Sequence, residues 1–376
     1  MSATPTELPK WADVAVIPLI NVAAAFVISG LVVTAIGEDP FNAVKLLIGG
    51  ALGDLEGIGF TLYYATSFIF TGLAVAICFQ AGLFNIGVDG QAYVAGLGAA
   101  LVALHLGFLP GVLLAPACIV GAALFGAAFA AIPGYLQAKR DSHLVITTIM
   151  FNYIAAAMMG YLLVDVLRKQ GQMNPETPGF PPGATMPQIK DLVAYLGWQW
   201  PDTPLNLSFV LALLCAYLMW LLIWRTRLGY EIRAVGANHV AAIYGGISPA
   251  RITMITVLMS GALAGGLAVN VLLGEEHRLI LQYTADFGFV GIAVALMGRG
   301  HPAGIVLAAI LFGILYQGGA ELAFDQPKIT RDMIVLIQGL VVLFAGALEH
   351  MFRRPLALLL TRFQPPVPDA PAAERA

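Results

Sequence analysis

Charge is what this sequence is short of. Its 376 residues hold 19 Lys and Arg and 22 Asp and Glu, 11% in all, where soluble domains carry about a quarter. A chain that is 59% hydrophobic, with a mean hydropathy of +0.83, is not a soluble globular domain, and its long uncharged runs mark transmembrane segments. The net charge of −3 is spread over loops, and no nucleic-acid partner is expected. Cysteine is scarce too. Cys78, Cys118 and Cys215 each lie inside an apolar run without metal-ligand spacing, which leaves no disulfide framework, redox motif or metal site. Also missing are a Gly-x-x-x-x-Gly-Lys-Ser/Thr phosphate loop, a His-Glu-x-x-His pair and a serine beside a plausible base. No catalytic residue and no cofactor of its own are therefore expected, so the chain reads as a non-enzyme.

What is present is a series of apolar runs near the roughly 20 residues that a spanning helix needs. They are Val14–Ile36, Phe60–Phe79, Val88–Leu106, Gly111–Ile132, Leu144–Val166, Leu205–Trp224, Ile252–Leu273, Phe287–Met297, Pro302–Tyr316 and Ile334–Leu348. The expected fold is an all-α polytopic membrane protein of about ten transmembrane helices, spread over residues 14–350. Ala12 to Ile36 is too long for the core of a cleaved signal and reads as an uncleaved first span. With residues 1–13 in the cytoplasm, Lys139, Arg140, Arg225, Arg227, Arg233, Arg251, Arg299, Arg353 and Arg354 fall inside, as basic loops do. Both termini, including a tail over 351–376, are then cytoplasmic. The longest outer loop covers 167–204, rich in proline and glycine, and an amphipathic piece at Met186 to Gly197 reads as interfacial, anchored by Tyr195, Trp198 and Trp200.

The most unusual stretch is Phe84-Asn85-Ile86-Gly87-Val88-Asp89-Gly90-Gln91, between two uncharged runs. A carboxylate and two amides at membrane depth are costly, which makes them functional candidates. Gly87 and Gly90 let the backbone leave helical geometry there. Two readings of Asp89 are compatible: cap of the following helix, or acceptor for the hydroxyls of a hydrophilic solute. Asn85 and Gln91 either meet that solute or satisfy backbone groups exposed by the break. Thr148 and Asn152, four apart on one helix face, either line a pathway or bond a neighbouring helix. Phe84, Phe151, Phe287 and Phe289 flank these groups, either as packing or as platforms for a flat base. A weak echo follows in the other half, at Gly288-Phe289-Val290-Gly291-Ile292 with Gly298-Arg299-Gly300-His301-Pro302 beyond it. Paired interrupted segments of this kind point to two pseudo-repeated halves with broken or re-entrant helices near the centre.

Between spans, the longest cytoplasmic loop is 225–251. In it Asn238 to Gly246 reads as a short helix, with Asn238 as N-cap and Gly245 as its stop. Such a helix is either a docking knob for a soluble partner or an ordinary loop whose arginines fix topology. Gly261 and Gly265 form a small-xxx-small face, expected to pack closely on another helix. Glu275-Glu276-His277-Arg278 reads as an outer turn, not a metal site, because adjacent residues do not share a helix face.

The break motif, Thr147-Thr148-Ile149-Met150-Phe151-Asn152-Tyr153-Ile154, Gly229-Tyr230-Glu231-Ile232-Arg233-Ala234-Val235-Gly236-Ala237-Asn238 and Gly291-Ile292-Ala293-Val294-Ala295-Leu296-Met297-Gly298 occur in this order. Together they resemble permease subunits of bacterial ABC importers in the ribose/branched-chain amino acid permease group, nucleoside and simple-sugar branch. Two departures stand out: Asp89 where many relatives carry Glu, and His301 where Asn is frequent. The resemblance implies a transport subunit of the inner membrane, paired with a homologous or identical second permease and bathed in lipid. It implies an ABC ATP-binding subunit that uses ATP and magnesium, and a periplasmic or lipoprotein receptor that delivers a small-molecule substrate. On this resemblance Asn85, Asp89, Gln91, Thr148, Asn152, Phe84 and Phe289 are the candidates for the substrate pathway. Arg233, Gly236, Asn238, Ala241, Ala242 and Gly245 are those for coupling to the ATPase. A nucleoside is the expected cargo, a ribose-like sugar the alternative. An ion-coupled secondary transporter is the alternative of another class, although only Asp89 clearly interrupts the apolar runs.

Overall fold

Helices form wherever charge-free apolar sequence is long enough to bury, and no strand occurs among the described residues. The computed structural model describes residues 16–343 apart from 170, 196, 327 and 330. The expected cytoplasmic tail, Arg353, Arg354 and the last part of Ile334–Leu348 lie outside these. The described residues form two compact units, Phe41–Arg331 and, separately, those before and after it. To the smaller unit belong α1 (Ile17–Ala35) and nearly all of α14 (Arg331–Val342).

The larger unit takes in all but the first residue of α2 (Pro40–Leu52), a helix between the first two apolar runs of the sequence. Its apolar residues recur at helical spacing, burying Ala43, Leu47 and Ala51, while Lys45, Gly49 and Gly50 interrupt the apolar run. Then comes α3 (Leu55–Gln80), capped by the Asp54 carboxylate, which accepts from the Gly57 N–H at 2.6 Å. After the break follow α4 (Val88–His105), α5 (Gly111–Arg140) and α6 (Leu144–Tyr161), the last prolonged by a π-helical turn over Leu162–Val166. Among the described residues the outer loop carries a 3-10 turn over Pro182–Ala184 and the short α7 (Ile189–Ala194), so the expected amphipathic piece is half its anticipated length. Met186 is instead pinned as extended chain, its N–H bonded to the Leu273 carbonyl.

The second half holds α8 (Ser208–Arg225), α9 (Arg227–Ala237), α10 (His239–Tyr244) and α11 (Pro249–Ala268) with a π-helical end, Val269–Glu276. It closes with α12 (Phe287–Met297) and α13 (Pro302–Asp325). The chain is a multi-pass membrane protein. Among the described residues six helices are long and apolar enough to cross a bilayer, α3, α5, α6, α8, α11 and α13, or seven where the bent pair Ala23–Ala35 and Pro40–Leu52 is counted as one span. α4 and α12 fall short of that test, and both begin at breaks inside the bundle.

Burial sorts the spans. In α3 the most apolar stretch is 83% buried, against 17% in α6. α3 is therefore the core and α6 a lipid-facing wall, which fits the Ala, Gly, Ser and Thr content of α3, since small residues let membrane helices approach. The expected small-residue face is seen on α11 against α5. A Cβ on Gly261 would stand 2.4 Å from the Gly126 carbonyl oxygen, and one on Gly265 would stand 2.9 Å from the Ala122 carbonyl carbon. Cys78 and Cys118 are buried and Cys215 is partly so, all three as free thiols.

Basic residues gather at one end. Lys139 and Arg140 close α5, Arg225 closes α8, Arg233 lies on α9, Arg251 opens α11 and Arg299 stands in the turn before α13. At the other end the outer loop is stitched to the turn after α11: Thr177 N–H to Leu279 O, Phe180 N–H to His277 O, and Arg278 to Glu176 at 3.2 Å.

Candidate functional site

The break between α3 and α4 is a short extended segment held by side chains from three other places. α3 ends at Gln80, Gly82 turns with φ of +71°, and Leu83 to Ile86 run without helical bonds. Backbone groups exposed in this way must find partners at membrane depth. Asn85 supplies some. It is fully buried, its Oδ1 accepts from the Gly87 N–H at 2.9 Å, and its Nδ2 donates to Gln91 Oε1 at 3.1 Å and Ser260 Oγ at 2.9 Å. Ser260 in turn donates to the Ala74 carbonyl at 2.5 Å, which ties the break to α3 and α11.

Asn152 of α6 does the same from the other flank. Its Oδ1 accepts from the Gly90 N–H and its Nδ2 donates to the Ile86 carbonyl, both at 3.0 Å. A side chain from a different helix thus caps the first turn of α4. Thr148, one turn earlier and fully buried, bonds the Val145 carbonyl of its own helix. A Cβ on Gly87 would meet the Thr148 Cβ at 2.9 Å.

Asp89 is not the cap. Gly87 occupies that position, and Asp89 lies in the first turn with its carboxylate turned away from its own helix. Oδ1 accepts from the Gly288 N–H and Oδ2 from the Thr284 hydroxyl, each at 3.2 Å. Gly288 belongs to the first turn of α12, so the starts of α4 and α12 meet here and the carboxylate faces the positive end of α12. The approach is close: a Cβ on Gly288 would fall 2.4 Å from the Asp89 backbone nitrogen. The echo seen in the sequence is thus a physical joint between two interrupted segments.

Its depth follows from helix geometry. Ser260 is eleven residues from the start of α11, and Gly288 a similar distance from Arg299. At 1.5 Å per residue that is roughly 16 Å from the basic end, about half of a 30 Å hydrocarbon layer. Asn85 and Gln91 are sealed inside, whereas Asp89 and Asn152 are half-exposed and Gln282, Asp286 and Phe289 are exposed around the joint.

The aromatic candidates separate. Phe84 stacks on Phe79, with centroids 5.2 Å apart and planes 6° apart, and Phe151 packs on Phe129. Phe287 joins a cluster with Tyr64, Phe68 and Tyr316. Phe289 alone of the four makes no ring contact among those described, and it is exposed. Sequence reasoning missed Ser260, Thr284 and a second polar joint nearer the other end. There Asn270 donates to the Tyr63 carbonyl at 3.0 Å and Ser67 Oγ at 2.8 Å, and accepts from Ser208 and Asn206. A lone Ser or Asn in an apolar run carries no spacing that names its partner.

At the basic end residues 225–251 are expected as a loop, and Arg227–Ala237 within them form α9. The Thr226 hydroxyl caps it by accepting from the Gly229 N–H at 3.1 Å, and Ile232 and Val235 are buried on one face, a pattern hidden among Arg, Glu and Gly. Asn238 then caps α10, its Oδ1 accepting from the Ala241 N–H at 2.9 Å, and Gly245 stops it. Gly236 abuts the end of α3 so closely that a Cβ would fall 2.3 Å from the Gln80 carbonyl oxygen. Ala242 faces inward, whereas Val240, Ile243 and Tyr244 are exposed, an apolar knob on a basic surface. Arg233 and Ala241 are exposed beside it. His301 caps α13: its Nδ1 accepts from the Ala303 N–H at 3.2 Å.

Residues 57–346 match the family described as "Branched-chain amino acid transport system / permease component". The chain is 32% identical to the guanosine ABC transporter permease protein NupP of Bacillus subtilis, over 88% of this chain and 92% of that one. It is 31% identical to the nucleoside ABC transporter permease protein NupB of Lactococcus lactis, over 87% and 89%. It is 30% identical to the glucose ABC transporter permease protein TsgB13 of Haloferax volcanii, over 94% and 93%.

Proposed function

Because this chain belongs to the family of permease components of the branched-chain amino acid transport system, we propose that it is the membrane subunit of an ATP-driven importer of nucleosides. The likeness to nucleoside and guanosine permeases along most of both chains carries the cargo. The likeness to a glucose permease favours a second reading, the same machine with a simple sugar. ATP and magnesium are used by a separate ATP-binding subunit, a second permease completes the pathway, and an external receptor hands over the solute. The basic end lies in the cytoplasm of an inner-membrane protein, as basic loops do, with both termini on that side.

Three parts share the work. Asn85, Gln91, Thr148 and Asn152 hold the break rigid. Asp89, Phe84 and Phe289 line the solute route. An ionised carboxylate offers about four lone-pair sites, and two of Asp89's are taken, which leaves acceptors for ribose hydroxyls. Arg233, Gly236, Asn238, Ala241, Ala242 and Gly245 form the contact with the ATPase, whose closure pushes α9 and α10 against the end of α3. α3 leads directly into the joint, so the push reaches Asp89 and α4 and α12 swing about it.

Reconstitution of the permease with its ATP-binding subunit and receptor in proteoliposomes tests the cargo: labelled nucleoside accumulates only with ATP, and unlabelled nucleoside competes where glucose does not. The reverse competition assigns the sugar instead, and accumulation driven by an ion gradient without the ATPase removes the reading altogether. Asp89→Ala reduces uptake about tenfold or more, by deleting two charge-assisted bonds and the solute acceptor, while the protein inserts normally. Full uptake by that variant removes Asp89 from the route. Ala242→Pro breaks α10, since proline in a helix costs about 3 kcal/mol. Receptor-stimulated ATP hydrolysis is lost and receptor affinity is kept; intact stimulation moves the docking knob elsewhere.

A further inference from the structure

A groove of about 330 Å³ runs along α8, between that helix and α5, with α3 and α11 as its floor. No lining side chain carries nitrogen or oxygen; the Cys215 thiol is its one heteroatom group besides the methionine sulfurs. Leu211, Cys215, Leu218 and Leu222 line it from α8, three or four residues apart and so on one helix face. Gly265 and Gly266 deepen the floor, because α11 has no side chain there and Phe70 of α3 closes the base. A Cβ on Gly266 would fall 2.1 Å from the Phe70 ring. The rims face outward: Val120 and Leu124 of α5 are exposed, as are Leu214 and Leu218 of α8.

Size and depth select the occupant. From Leu211 to Leu222, α8 rises roughly 16 Å at 1.5 Å per residue, about half of a 30 Å hydrocarbon layer. Spread along that length, 330 Å³ is a channel about 5 Å wide, half the roughly 10–12 Å diameter of a helix. A single polymethylene chain fits that width, and a helix of a second subunit does not. The groove stops one turn short of Arg225, the last residue of α8. Tyr217, stacked on Trp220, and Trp224 mark this end of α8 as the interface level, where aromatic residues gather. The Arg225 guanidinium lies 5.3 Å from the Trp220 ring centroid, and no carboxylate pairs with it among the described residues. A cation at that level attracts lipid phosphate. We propose that this groove holds one acyl chain of a phospholipid from the leaflet at the basic end, with the phosphate at Arg225. The tail keeps α5 and α8 apart, and the headgroup sits where α8 passes through Thr226 into α9. The site is independent of the cargo, because its lining reads hydrocarbon whichever solute crosses.

The test uses the complete permease–ATPase complex in nanodiscs of phosphatidylglycerol and phosphatidylethanolamine, a small share of each carrying a diazirine midway along one acyl chain. Irradiation and peptide mapping locate the tail, and native mass spectrometry counts the lipid that each permease keeps after transfer to detergent. The expected result is one retained phospholipid per permease, with label concentrated on residues 211–222 and 259–269. Ala262→Phe and Ala123→Phe fill the groove from two sides, and each removes both the retained lipid and the label. Arg225→Gln lowers retention about tenfold, as loss of a charged hydrogen-bond donor does. Size-exclusion profiles establish that the variants fold, and if neither Phe variant does, the label map of the parent decides alone. The proposal is overturned if exposed Tyr153 of α6 takes up label as heavily as the groove, the mark of ordinary bilayer lipid. It is overturned too if a folded variant of the three keeps lipid as the parent does, or if a photoreactive probe on Cys215 captures the second permease instead.

Discussion

Asn152→Ala lowers solute uptake about tenfold or more and destabilises the protein by about 2–4 kcal/mol, the cost of leaving two partly buried backbone groups unpaired. The effect is large because of what Asn152 holds. Its amide is the only described side chain that bonds both the Ile86 carbonyl and the Gly90 N–H, the two sides of the break. The side chain contributes a donor and an acceptor to chain that has left helical geometry, where backbone groups need such partners. Asn152→Asp separates the two halves of the role, since a carboxylate keeps the acceptor for Gly90 and loses the donor for Ile86. Uptake and thermal unfolding measured on the same preparations check this. Parental uptake by Asn152→Ala would mean that the break keeps its shape without the clamp.

Gly261→Val prevents recovery of folded protein, with an overpacking cost of about 3 kcal/mol or more. The Cβ would stand 2.4 Å from the Gly126 carbonyl oxygen and 2.6 Å from the Ala130 Cβ. Backbone and a short side chain cannot swing aside, so α5 and α11 must part along their crossing. Gly160→Val is the control, because nothing lies within 4 Å of its Cβ position. The first variant elutes as aggregate in size-exclusion chromatography and the second as the parent does. A monodisperse Gly261→Val protein would show that the α5–α11 contact yields more readily than its geometry indicates.

Much of the architecture was readable from residues alone because the membrane enforces simple rules. Long uncharged runs became helices, and the glycines at 261 and 265 became a packing face. The cap and stop of α10 stood at Asn238 and Gly245, where their side-chain chemistry placed them. The break at Asn85 to Gln91 was visible as polarity where none belongs. Its partners were not. Ser260, Thr284 and Gly288 lie some 170 to 200 residues further along the chain, and hydrogen-bond complementarity leaves no periodic trace. Asp89 shows the limit most clearly. Local rules make a carboxylate after Gly87 a cap for its own helix, but the tertiary approach of α12 gives it a stronger pair of donors. α2 and α9 were hidden for another reason: both are amphipathic and short, and their glycines and charges resemble loop composition.

Winding Val269–Glu276 as a π-helix fits more residues into the end of α11 than an α-helix would over the same rise. The wide turn holds one residue more than an α-helix would, in a span tied at its end by the outer loop and by the polar contacts of Asn270. A chain shortened by one residue after Leu273 would rewind to ordinary helix and still reach the turn at His277. It would keep the Asn270 contacts and rotate Glu275 off the Tyr63 hydroxyl that now donates to it. A one-residue change in length would thus be absorbed at the rim of the bundle, and the joint at Asp89 and Gly288 would be spared.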